Sequence, residues 1–85
     1  MFYFYVLGSD LGKLYYGSSN DLKHRLKEHL SGEVFTTKKH SGWKLIYYEA
    51  YANEEDARLR ERNVKKFGGT KKHLLNRIRR SRQFG

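Results

Sequence analysis

The sequence predicts an α+β fold, a three-stranded antiparallel β-sheet flanked by about three helices. Three observations carry this expectation. Two aromatic and β-branched runs open the chain on either side of a Gly-Ser-Asp-Leu-Gly stretch, a third such run lies near the middle, and three segments of helical apolar spacing sit between capping and breaking residues. The chain has 85 residues and is expected to form one domain over residues 1–85, burying roughly 60–65 per cent of the surface its unfolded chain exposes.

The first run, Phe2, Tyr3, Phe4, Tyr5, Val6 and Leu7, reads as a strand buried on at least one face. Gly8 to Gly12 supplies turn chemistry and Lys13 to Ser18 a second strand, closing a β-hairpin. Ser19, Asn20 and Asp21 then offer a helix cap, Leu22, Leu26 and Leu30 follow at helical spacing as a buried stripe, and Gly32 stops the helix. Glu33 to Gly42, with Lys38 and Lys39, lacks periodicity and reads as an exposed basic loop able to lie along a phosphate backbone. Trp43 to Tyr51 is the third strand, added to the hairpin; three strands suffice for a sheet that helices can cover. Asn53 caps a helix whose first turn carries Glu54, Glu55 and Asp56, favourable at the positive end of the helix dipole. That helix runs to Phe67 and breaks at Gly68 and Gly69, after which Thr70 is expected to cap a last helix bearing Leu74, Leu75 and Ile78.

Eighteen Lys and Arg against nine Asp and Glu leave a formal charge of +9. The excess is uneven: residues 64–85 contain Lys65, Lys66, Lys71, Lys72, Arg77, Arg79, Arg80 and Arg82 and no carboxylate. Such a field recruits polyanions through counterion release, nucleic acid first among them. The basic segment lacks the wide aromatic face an interfacial helix needs, and no apolar stretch approaches the ~20 residues of a membrane span, so no membrane association is expected. Cysteine is absent, which excludes disulfides, thiolate zinc sites and a cysteine nucleophile and suits a reducing cytoplasm.

Placed on this map, Tyr5, Tyr15, Arg25, His29 and Glu61 converge. Tyr3 and Tyr5 share one face of the first strand, Tyr15 and Gly17 one face of the second. Gly17 leaves an open spot where a phosphate approaches the backbone and the helix N-terminus beyond it. Arg25 and His29, neighbours on their helix, flank the leucine stripe and point toward the sheet's edge. Glu61 falls on the side of its helix that otherwise carries Ala57 and Val64. A carboxylate there needs a partner, either a metal ion or Arg25.

The hairpin, with Tyr3-Phe4-Tyr5 and Tyr15-Tyr16-Gly17, resembles the two halves of the GIY-YIG nuclease motif. The likeness continues through Asn20 to His29, similar to the family's arginine-bearing helix, and through Ala57 to Lys66, similar to its glutamate-bearing helix. It covers nearly the whole chain, as in small stand-alone bacterial members. Tyr3 stands where the first motif names glycine, Tyr16 replaces the middle isoleucine, and Ser18 stands where some members have a phosphate-side lysine. The resemblance implies a metal-dependent endonuclease hydrolysing DNA, in settings such as repair or recombination, with one Mg2+ or Mn2+ on Glu61. It also implies that one of Tyr5 and Tyr15 orients or deprotonates the attacking water, that Arg25 steadies the phosphate, and that His29 is the general base or assists it. Asn76 would match the family's late asparagine.

The residue types suit that chemistry. Arg25 donates two parallel hydrogen bonds to phosphate oxygens. Magnesium keeps much of its water shell and is satisfied by one carboxylate. A tyrosine, ionising normally near 10, needs nearby cations to act as a base, whereas histidine does not. Gly17, Ser18, Lys38, Lys39, Lys65, Lys66 and Asn76 are the expected DNA contacts, with RNA as the other polyanion and a partner protein or second copy of the chain as the source of specificity. The alternative reading is a catalytically inactive nucleic-acid-binding module of the same fold.

Overall fold

The computed structural model describes residues 1–31 and 42–83, and Lys38 and Lys39 lie outside them. It contains β1 (Phe2–Gly8), β2 (Leu14–Ser19), α1 (Leu22–Leu30), β3 (Lys44–Tyr51), α2 (Glu54–Lys66) and α3 (Gly68–Arg77). The strands form one antiparallel sheet in the order β2-β1-β3. The fold class is the one the sequence predicts, with strand ends displaced by a residue.

β1 is the central strand, and its alternating side chains found two cores. Phe4 and Val6 face Tyr16, Val64, Leu74 and Ile78, so α2 and α3 cover that side. Tyr5 and Leu7 face Trp43, Tyr15, Leu22, Leu26 and Leu45, and α1 covers the other. Burying each of the large apolar side chains stabilises the fold by about 1.5–3 kcal/mol. The register slips between Val6, opposite Tyr47, and Leu7, opposite Leu45, leaving Ile46 as the extra residue of a bulge.

Both foreseen caps form: Asp21 accepts from the His24 N–H at 3.0 Å and Asn53 from the Glu55 N–H at 2.8 Å. Two expectations are corrected. Leu30 does not continue the buried stripe; it is 68% exposed, and His29 takes the inward place at 2%. Thr70 does not cap α3, which has no side-chain cap, takes Phe67 as its N-cap residue and begins three residues earlier than a Thr70 cap would place it. The break falls at Phe67, extended at φ −107° and ψ 113°, whose N–H donates to the Asn63 carbonyl and whose own carbonyl accepts from Lys71. One extended residue therefore ends α2 and starts α3, and the two glycines open the new helix. Among the described residues no helix is long and apolar enough to cross a membrane.

The hairpin loop is organised by Ser9, a residue without water contact. Its hydroxyl oxygen accepts from the N–H groups of Leu11 and Lys13 at 3.3 and 3.0 Å, its N–H donates to the Lys13 carbonyl at 2.8 Å, and Gly12 takes the required φ of +78°. Ser9→Ala is expected to leave those donors without their acceptor and to destabilise the fold by about 1–3 kcal/mol. A urea-unfolding midpoint that falls at unchanged m-value checks this.

Candidate active site

Tyr5 is wholly buried near the middle of β1. Opposite it on β2 stands Gly17, and a Cβ there would lie 2.5 Å from the Tyr5 ring carbon that bears the hydroxyl. The expectation of an open spot at Gly17 is thus corrected: the missing side chain makes room for the Tyr5 ring, not for a phosphate. The ring end reaches α1, where its hydroxyl lies 2.8 Å from His29 Nε2 and 3.4 Å from Arg25 Nε.

A guanidinium only donates, so the Tyr5 oxygen accepts from Arg25 and its proton is left for His29. Burial, seconded by the Arg25 charge, pulls the His29 pKa down to about 4, so the imidazole is neutral at pH 7 and Nε2 can accept. Burial raises the Tyr5 phenol to about 12, against the opposing hydrogen bond from Arg25. The hydrogen bond to Tyr5 is the largest reason that Arg25 holds its proton more firmly than usual, outweighing burial, with Glu28 and Tyr15 adding to it.

Tyr15 completes the cluster. Its ring stands 4.7 Å from His29 and 6.3 Å from Tyr5, centroid to centroid, and it is only half-buried. The structure therefore brings Tyr5, Tyr15, Arg25 and His29 together on one side of the sheet but sorts them by depth. Tyr5 and His29 are inside, and Tyr15 and Arg25 carry the solvent-facing edge.

Glu61 comes from the opposite layer. On α2 it follows Ala57 by one turn and lies toward the β2 edge, where one carboxylate oxygen accepts from the Ser18 hydroxyl at 2.6 Å and the other pairs with Lys65 Nζ at 2.6 Å. Arg25 is not its partner; that guanidinium meets Glu28 at 3.4 Å. The Glu61 charge nevertheless reaches the Tyr5 phenol and opposes its ionisation. The layers meet around the β2 edge in a polar cavity of about 380 Å³, lined by Asn20, Asp21, Arg25 and Glu28 on the α1 side, by Glu54, Ala57 and Arg58 on the α2 side, and by Ser18 of β2.

The remaining expected contacts divide. Ser18 and Lys65 both serve Glu61, Lys66 lies over the Phe67 ring at 5.5 Å, and Asn76 is exposed on α3, on the sheet face away from Tyr5. Sequence reasoning missed Glu28, which pairs with both Arg25 and His24; the signal was its i,i+3 and i,i+4 spacing from them. It also missed the half-buried Glu49, which accepts from the Tyr47 hydroxyl at 2.6 Å, from Arg60 Nε at 3.1 Å and from the Tyr51 hydroxyl. These hydrogen bonds overcome burial and hold the Glu49 carboxyl below the usual range.

The family profile of the GIY-YIG catalytic domain matches residues 1–76, which include every one of these side chains. The chain belongs to the GIY-YIG family. It is 38% identical over 73 residues to a UPF0213 protein of Bacillus pumilus (strain SAFR-032), covering 85% of this chain and 74% of that one. A UPF0213 protein of Clostridium perfringens (strain 13 / Type A) is 34% identical over 76 residues, covering 88% and 82%. No solved structure matches the chain significantly. GIY-YIG membership implies nuclease-type activity and a DNA substrate.

Because the His29 pKa is lowered from 6.5 to about 4, the unfolded state takes up this proton first as pH falls. The neutral-His29 contribution is complete above pH 6.5 and is lost toward pH 4, at up to about 1.4 kcal/mol per pH unit. Unfolding measured between pH 7 and 4 is expected to show that loss, and His29→Gln to remove it. A wild-type imidazole that titrates near 6.5 by NMR would contradict the buried pairing.

Proposed function

We propose that this GIY-YIG chain is an endonuclease that hydrolyses DNA phosphodiester bonds with a divalent cation, Mg2+ or Mn2+, held at Glu61. The observation that carries the reading is the depth-sorted cluster. A buried Tyr5–His29 pair fixes Arg25 through its Nε–H; the guanidinium, whose Nη1 meets Glu28 at 3.4 Å, lines the polar cavity, and the half-buried Tyr15 stands on the same side of the sheet. Holding donors in place before substrate arrives is the main way a protein favours a transition state of rising negative charge.

In this scheme Arg25 binds the nonbridging phosphate oxygens and Tyr15, the tyrosine with solvent access, orients the attacking water. Tyr5 and His29 act through Arg25 and Tyr15 as positioning residues. Tyr5, buried and ionising near 12, is a poor base at neutral pH.

The fit of a cation at Glu61 rests on the donor set. One carboxylate oxygen is fixed by Ser18 while the other already holds a positive charge, the Lys65 ammonium. Lys65 is half-exposed, and ion pairs of that kind are worth about 0–1 kcal/mol, so a hard divalent ion displaces it at small cost. Among the described residues no three His, Asp or Glu gather into a multidentate site, so Glu61 alone would hold the ion with its water shell. When bound, such an ion would stabilise charge on the phosphate and leaving oxygen. The absence of cysteine and the +9 charge agree with a cytoplasmic enzyme acting on DNA, in repair or recombination, with specificity from a partner protein or second copy.

The Glu61–Lys65 pair also favours a second reading, a non-cutting module in which lysine has replaced the cation. Supercoiled, linear and branched DNA incubated with Mg2+, Mn2+ or EDTA separates the two. Wild type is expected to cut only with metal, and Glu61→Ala to bind comparably while losing at least ~100-fold in rate. Salt-sensitive binding by both proteins without cleavage of any substrate would favour the non-cutting module.

A further inference from the structure

On the α1 side of the sheet a second hollow, of about 400 Å³, opens between the strands and the start of α1. Its sheet wall is a pair of tyrosines, Tyr3 of β1 and Tyr48 of β3. Tyr48 pairs with Tyr5, two residues along from Tyr3, so the two rings share a face of the sheet and meet edge to face, with centroids 5.9 Å apart and planes at 66°. The helix wall is Leu22, Lys23 and Leu26, and both leucines also pack against the Tyr5 core. Tyr48 is nevertheless 52% exposed, although the Tyr5 beside it is wholly buried. An edge-to-face contact engages only one of the four ring faces in the pair, so the Tyr48 ring stays open to a ligand.

Neither Tyr3 nor Tyr48 belongs to the cluster around Arg25, yet Asn20 and Asp21 line both this hollow and the polar cavity that Arg25 lines. An occupant must be flat, to lie against a ring, and polar at its edge, because Asn20, Asp21 and Lys23 are exposed at the rim. A nucleobase is both. Stacking on an aromatic side chain strengthens binding about fivefold or more per base, whatever the base. A second copy of the chain would bring a charge of +9 against another of +9, whereas a nucleic acid is drawn in by that charge. Bases inside a duplex show only their edges in the grooves, so a base reaches a ring face only when it is unpaired or extruded.

We propose that the hollow between Tyr48 and the start of α1 is a nucleobase subsite, which stacks the unpaired base of a nucleotide adjoining the phosphate at Arg25. DNA with a bulged, mismatched or single-stranded nucleotide beside the bound phosphate is then the substrate class. The assignment rests on the reading that the chain binds DNA at Arg25, and not on whether it cuts.

Affinities are measured in EDTA, at one salt concentration, for a duplex with a single bulged nucleotide and for its fully paired counterpart. Wild type is expected to prefer the bulged duplex by about fivefold or more. Tyr48→Ala is expected to bring the two affinities within about twofold of each other, and Tyr48→Trp, which keeps a stacking face, to retain the preference. Because the readout is a ratio, a smaller folded fraction lowers both affinities alike and leaves it unchanged. Equal binding of both duplexes by wild type, or a preference that survives in Tyr48→Ala, overturns this site and leaves the DNA reading standing. Wild type that binds neither duplex overturns the DNA reading and this site with it. A wild-type dimer that Tyr48→Ala dissociates, with discrimination between the duplexes unchanged, gives the hollow to a second copy and overturns the proposal.

Discussion

The burial of Tyr5 against Gly17 sets the geometry of the candidate site. A phenol packed inside a sheet must find hydrogen-bond partners or incur the cost of an orphaned hydroxyl. Here those partners, Arg25 and His29, come from α1, so satisfying one buried group seats the helix on the sheet. The absence of a side chain at Gly17 is what lets the ring lie flat enough to reach them. The consequence is electrostatic as well as geometric: the imidazole is kept neutral, the phenol protonated, and the only fixed charge in that group is the guanidinium. A site that presents one well-held cation beside a polar cavity suits an anionic substrate.

The sheet is thin, and the fold uses this. Alternation along β2 sends Gly17 to the α1 side and Ser18 to the α2 side, so adjacent residues serve the buried tyrosine and the carboxylate Glu61. β2 is an edge strand, and the cavity where the two layers meet opens along it. Glu49, Tyr47, Tyr51 and Arg60 tie β3 to α2 on the far side and hold the helix carrying Glu61 at a fixed height above the sheet.

Much of this was legible from residue order. Aromatic strands, the Asp21 and Asn53 caps and the shared faces of Tyr3 with Tyr5 and of Tyr15 with Gly17 follow from local periodicity and capping chemistry, which act over a few residues. Glu61 on the Ala57 and Val64 side was legible for the same reason. What was not legible depended on depth. Spacing alone puts Leu30 in the leucine stripe and His29 beside it, and only the reach of the Tyr5 hydroxyl decides that the histidine goes inside and the leucine out. Gly17 looked like space for a ligand because a glycine names the missing side chain and not the neighbour that fills the gap. The partner of Glu61 was open between a metal and Arg25, and the i,i+4 lysine on its own helix takes it, the nearest cation in sequence. The tight passage from α2 to α3 at Phe67 turns on one backbone conformation that no residue type dictates.

In the proposed reading Tyr15 and Arg25 form the reacting edge of the cluster and Tyr5 and His29 support them. The single-turnover cleavage rate of Tyr15→Phe at saturating DNA and metal tests that division most directly, because the substitution keeps the ring and its contact with His29 and removes only the hydroxyl. A loss of about 100-fold or more, with DNA affinity unchanged, is the result the account predicts. A wild-type rate would contradict it and would return the water-orienting role to another group.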